Sequence, residues 1–178
     1  YRMLVREYRV LASKYSLNPI HGWLWKFSRL RPVNFPTLRI SQLAAMLTTA
    51  GGLFSRVLET DEAGRLRQLF ASEASGYWNT HFVFGKECRS VKKSTGDLAA
   101  DILLINAVIP VVFLYGRLRD LPGKCEKAIE MLEDLPPEDN SVTREWVDAG
   151  VSPVSAFESQ ALIQLRNNYC RKRRCLDC

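Results

Sequence analysis

The chain has 178 residues, of which 47% are hydrophobic and 25% charged; that composition excludes a disordered or collagen-like chain and is enough for one core without staples. Net charge is +6, which favours polyanionic partners over acidic-surface avoidance. Five cysteines, odd in number and clustered, argue against a secreted disulfide framework and for a reducing cytoplasm.

Tyr1 is not a start methionine and no charged-then-apolar leader follows it, so we read a piece of a longer protein. The longest apolar run, Ile102 to Gly116, is interrupted by Asn106 and Pro110. It falls short of the roughly 20 residues of a bilayer-spanning helix, so no membrane is expected. The charge is graded along the chain. Residues 1–56 hold nine Lys/Arg and one acid, Glu7, whereas residues 121–164 hold three bases and nine acids. The basic end either attracts nucleic acid or faces the acidic helices of the same chain or of a neighbouring domain.

Taken in order, the elements read as helices separated by punctuated loops. Residues 2–16 place Leu4, Tyr8, Leu11 and Tyr15 on one stripe, with Arg2, Arg6 and Arg9 opposite. A second helix is expected over 20–31, with Ile20, Trp23, Leu24, Phe27 and Leu30 on its stripe. Trp25 falls off that stripe near Arg29, where it either stacks on a base or partner side chain or packs within the domain. Asn34-Phe35-Pro36 starts a helix with proline in its first turn, and Gly51-Gly52 stops it. Short helices follow at 53–59 and 61–72. The aromatic segment from Tyr77 to Phe82 reads as a buried turn or a binding surface, and 85–96 as a mobile, basic, solvated loop containing Cys88.

Residues 97–119 form the expected central helix, capped by Ser94, Thr95 or Asp97, apolar nearly all round and therefore buried by the others. Pro110 should kink it, leaving Asn106 in a dry segment in need of a partner. An acidic helix follows Leu121-Pro122-Gly123, with Cys125 as a core thiol. Pro136-Pro137 breaks it, and a short helix runs from Asn140 or Ser141 to Gly150. Ser155 and Glu158 form a capping box for the last helix, which ends at Cys170. No stretch shows convincing strand alternation. The fold class is all-α, one multi-helix domain with a helical body over 1–169 and a cysteine-rich basic tail over 170–178.

That tail carries the most specific chemistry. Cys170, Cys175 and Cys178 stand at Cys-x4-Cys-x2-Cys spacing around Arg171, Lys172, Arg173 and Arg174. Flanking cations favour thiolate, and the spacing suits zinc or an iron–sulfur cluster. Three thiols leave a closed site one ligand short, with Cys88, His81, His21, a later residue or an exogenous group as the fourth; unligated structural thiols or a redox Cys-x2-Cys are the alternatives. No hydrolytic constellation accompanies the tail, and His21 and His81 lack ligand partners at helical spacing. A catalytic role for these residues is not expected.

The stretches Leu24 to Pro36, Tyr77 to Gly85, Leu104 to Pro110, and Ser159 to Leu165 through Cys178 resemble a bacterial family, well represented among Bacteroidetes, the domain-of-unknown-function family numbered 2851. The resemblance implies the C-terminal half of a longer protein whose upstream half looks faintly like a restriction-nuclease-type fold. It supplies no catalytic residue. Two readings follow: a helical accessory domain that contacts nucleic acid through its basic surfaces (Arg171 to Arg174, Trp25 and Arg29), with a structural metal in the tail; or an interaction domain, without metal, that packs on the upstream half.

Overall fold

A computed structural model of the chain describes residues 2–178, apart from the side chain of Leu4. Eight helices lie among the described residues: α1 (Arg2–Lys14), α2 (Pro36–Ala50), α3 (Leu53–Glu59), α4 (Ala63–Phe70), α5 (Asp97–Leu118), α6 (Pro122–Asp134), α7 (Ser141–Asp148) and α8 (Ala156–Leu165), which runs on as a π turn over Arg166–Cys170. The all-α expectation holds. One small antiparallel hairpin, β1 (His81–Val83) with β2 (Lys86–Glu87), was not anticipated.

The main core is built on one face of α5. Ala100, Leu104, Ile105, Val108, Ile109 and Val112 meet Met46 from α2, Val57 from α3, Leu66 and Phe70 from α4, and Ala128 and Met131 from α6. A fully buried Leu or Ile contributes about 1.5–3 kcal/mol over an exposed one, so this face dominates the favourable side of folding. A smaller core of Leu38, Ala74 and Trp78, with Phe82 against it, lies under the hairpin.

The opposite face of α5 is not covered. Leu98, Ile102, Val111, Leu114 and Leu118 are exposed, which corrects the expectation of a helix buried all round. Its 22 residues run unbroken past Asn106 and Pro110, and by length and composition alone it is long and apolar enough to cross a membrane, against the shorter estimate from the sequence.

The irregularity expected at Pro110 takes the form of a π turn over Leu104–Val108, in which the Ile109 N–H donates to the Leu104 carbonyl. Proline lacks the N–H that a regular ladder needs, and widening the preceding turn absorbs the misfit. Asn106 is exposed rather than dry. Its Nδ2 donates to the Ile102 carbonyl at 3.0 Å and to Glu138 Oε1 at 2.9 Å, which supplies the partner it was expected to need. The N-cap of α5 is Gly96, with no side-chain cap bond from the expected Ser94, Thr95 or Asp97.

Other local signals translate directly. Pro36 is in the first turn of α2, and Gly51 and Gly52 stop it at φ 46° and 83°. Asn140 Oδ1 accepts from the Val142 and Thr143 N–H groups, while the Asn140 N–H donates to Thr143 Oγ1. At α8, Ser155 Oγ accepts from the Glu158 N–H, but the Glu158 carboxylate accepts from Val154 rather than Ser155. Arg166 Nε and Glu145 Oε2, 2.6 Å apart, tie α8 to α7. That hydrogen bond, with the guanidinium's charge behind it, holds the Glu145 carboxyl below its ordinary range.

Residues 20–31 do not form the expected helix. Only a 3₁₀ turn at Gly22–Leu24 and another at Pro32–Asn34 interrupt an irregular path, and Arg29 is left-handed at φ 61°. A short amphipathic helix is marginal unless its apolar face is packed, and here Ile20, Trp23, Leu24 and Leu30 are all exposed. In α1 the helix forms, but Tyr8, Leu11 and Tyr15 are exposed too.

α5 and the turn into α6 approach closely at Gly116. A Cβ there would come within 2.9 Å of Cys125 Sγ, 3.1 Å of the Leu121 carbonyl oxygen and 3.1 Å of Lys124 Cβ. Cys125 Sγ in turn lies 3.6 Å from the Phe113 carbonyl, in keeping with a packing thiol. Alanine exceeds glycine in helix propensity by up to about 1 kcal/mol, yet overpacking costs about 1–3 kcal/mol. Gly116→Ala is therefore expected to lower the unfolding free energy in urea by about 1 kcal/mol or more. A stabilised variant would refute the close-approach reading.

Candidate nucleic-acid interface and thiol tail

The basic N-terminal third is left without internal anions. Among the described residues, no ion pair joins the cations of residues 2–35 to any acid, and the eight pairs present lie elsewhere. The internal charge match with the acidic helices α6 and α7 is thus not made. Of the acids on those helices, Glu130 pairs with Lys127 and Glu145 with Arg166, and Asp139 in the turn between them pairs with Arg144.

Interleaved with the free cations are exposed aromatic rings. Trp23 is 78% and Trp25 38% exposed, and the His21 and Trp23 rings stack with centroids 6.2 Å apart. Trp25 sits in extended backbone. Because 20–31 is not helical, the helical proximity of Trp25 and Arg29 inferred from the sequence is replaced by an irregular segment that carries both. Flat π faces and positive charge thus share one irregular segment.

At the other end, α8 unwinds through its π turn into a compact tail. The Arg174 N–H donates to the Tyr169 carbonyl, Arg173 is left-handed at φ 53°, and Cys175–Asp177 makes a 3₁₀ turn. Arg174 lies 5.8 Å from the Tyr169 ring centroid, and its Nε is 3.1 Å from Asp177 Oδ2. Arg171 and Lys172 reach back to the Asn167 and Asn168 side chains. All four cations are exposed. Positive charge at a helix C-terminus also offsets the macrodipole, so part of this run has a structural role.

The three tail thiols, Cys170, Cys175 and Cys178, are free and exposed. Among the described residues, no group of three or more His, Cys, Asp or Glu is disposed to hold a metal ion. Two of the candidate fourth ligands have contacts elsewhere. His81 stacks on Tyr77 at 4.0 Å, with Nδ1 3.0 Å from the Tyr77 carbonyl. Cys88 lies beside Lys93.

The hairpin region holds what the sequence reading missed. In the segment expected to be a solvated basic loop, Lys93 is only 5% exposed. Its Nζ donates to the Trp78 carbonyl and, at 3.0 Å, to the Asn79 carbonyl, and it stands 4.1 Å from the centre of the Phe82 ring. No local pattern marks Lys93 apart from Lys86 or Lys92; the dense aromatic run 77–82 is the nearest signal.

No curated protein and no solved structure matches the chain. A family model described as "Protein of unknown function (DUF2851)" matches residues 1–141. That span covers three of the four stretches on which the resemblance rested, and it ends before Ser159 and the cysteine tail. It takes in the basic segment, the smaller core, the main core apart from Ala156, and the acidic helix α6, most of the fold described above. The chain belongs to the DUF2851 family of proteins of unknown function.

Proposed function

We propose that the chain is a helical accessory domain that associates with nucleic acid through its basic, aromatic N-terminal segment, with the cationic tail as a second contact. The observation that carries this reading is the set of N-terminal cations without internal acidic partners, set among exposed Trp23 and Trp25. Unpaired cations gain by displacing counterions from phosphates, and exposed indoles gain by stacking on bases. The domain would work in a reducing cytoplasm as the C-terminal part of a longer bacterial protein, with no membrane and no chemistry of its own.

The binding is tested by titrating a labelled oligonucleotide at several salt concentrations. With about four phosphate contacts, affinity should fall roughly a hundredfold between about 50 and 200 mM salt. Lys26→Ala with Arg29→Ala should reduce the salt slope by about two. Trp25→Ala should cost about 1–3 kcal/mol of binding if the indole stacks on a base. Binding that is absent or insensitive to salt would sink the proposal.

The exposed apolar faces of α1 and α5 favour a second reading, an interaction domain that packs on an upstream domain. In that case Trp25→Ala would impair assembly or solubility and leave nucleic-acid affinity untouched.

For the tail, we propose that Cys170, Cys175 and Cys178 together hold zinc or an iron–sulfur cluster in a structural role. Such a group would have to draw three exposed thiols together and recruit a fourth ligand. Anaerobic purification with metal analysis and a visible spectrum tests this. Stoichiometric metal that is lost, together with thermal stability, in Cys175→Ser is the expected result. A metal-free protein indifferent to that substitution would leave the thiols as unligated side chains.

A further inference from the structure

Lys93 is a buried ammonium without a carboxylate. Its donors are taken by the Trp78 carbonyl, by the Asn79 carbonyl at 3.0 Å and by Cys88 Sγ at 3.5 Å. The Phe82 ring closes another side of the cage. Among the described residues no acid lies within ion-pair distance of it. The thiol is therefore the one group in contact with Nζ that can carry a negative charge or react.

The pair is also held in place. The Cys88 N–H donates to the Thr80 carbonyl at 2.7 Å, and the Val91 N–H to the Asn79 carbonyl at 3.0 Å. The Lys93 carbonyl accepts from the Ala74 N–H at 3.0 Å and from Gln42 Nε2 at 3.3 Å. Both ends of the 88–93 loop are thus pinned, and sulfur and nitrogen face each other across less than 4 Å. Cys88 is half-buried at the surface of the hairpin, open to a small oxidant, whereas Lys93 lies behind it.

We propose that Cys88 and Lys93 are a redox modification site, a thiol–amine pair that hydrogen peroxide converts to a covalent sulfenamide cross-link. The sulfur attacks peroxide; an S–O bond forms, the O–O bond breaks and one water leaves, giving the sulfenic acid. Lys93 Nζ gives up one proton to solvent and its lone pair attacks that sulfur. An S–N bond forms, the S–O bond breaks, and hydroxide departs with a second proton as water. In sum one thiol, one amine and one peroxide give one sulfenamide and two waters, with sulfur oxidised by two electrons and peroxide reduced by two. Sulfenic acids condense in this way with backbone nitrogen; a pinned side-chain amine is a closer nucleophile. The cross-link removes the ammonium's charge, so the Phe82 contact weakens and the carbonyl cage loses donors. A thiol reductant should therefore reverse it readily.

The test uses the full chain. After peroxide treatment and blocking of remaining thiols, cleavage after acidic residues leaves Cys88 and Lys93 on one peptide, 88–97, that contains no other cysteine. The expected mass is that of the reduced peptide less two hydrogens, restored by a phosphine and absent in Lys93→Arg. If the wild-type peptide instead carries a sulfinic acid or a sulfenic-acid-trapping adduct, with Lys93 still open to amine acylation, the proposal fails. Acylation of the wild-type peptide decides the matter even if Lys93→Arg does not fold, because the cross-link blocks Lys93 whereas a sulfenamide to backbone nitrogen, of the same mass, leaves it reactive and overturns the proposal.

Discussion

Everything in the body of this protein leans on the inward face of α5. Its apolar side chains are the surface on which α2, α3, α4 and α6 condense. The contact with α6 leaves little tolerance at Gly116. With only hydrogen at Gly116, the turn through Leu121 can bring Cys125 against the α5 backbone. Asp101 adds the one strongly buried carboxylate on this helix, and Arg67 meets it at 2.7 Å. A buried charge of this kind is tolerated because a guanidinium reaches it, and it orients α4 against α5 more than it strengthens their union.

Charge is organised on a different principle from packing. The ion pairs lie in the body and tail of the chain, Lys127 with Glu130 and Arg166 with Glu145 among them, whereas the N-terminal segment keeps its cations and most of its rings in solvent. A segment whose cations find no acid and most of whose rings stay in solvent contributes little to the stability of its own fold. The tail repeats the pattern on a smaller scale, with exposed cations beside exposed thiols.

What was legible in the sequence depended on how local its cause was. Pro36, Gly51, Pro136 and the Asn140 cap act within a few residues, and the helix boundaries they mark are where the structure places them. The 20–31 segment has the periodicity of a helix, but periodicity records only where apolar groups would lie if a surface met them, and none does. The exposure of one side of α5 has the same origin, since a stripe cannot say how many neighbours will arrive. Lys93 lay beyond reach because its burial is decided by carbonyls from Trp78 and Asn79, fifteen and fourteen positions away. The tail cysteines were legible as a spacing, but spacing does not bring three sulfurs together.

The π turn in α5 has a consequence of its own. A single extra residue in a helical turn rotates everything after it by about 100° relative to a regular continuation. The segment before Leu104 is thus aimed toward α4, and the segment after Val108 toward α6, by one continuous rod. The Asn106 side chain, lodged between the Ile102 carbonyl and Glu138, holds that offset. α5 therefore behaves as two facets joined by a fixed rotary step, and a one-residue deletion in 104–108 would misalign one facet while leaving the helix itself intact.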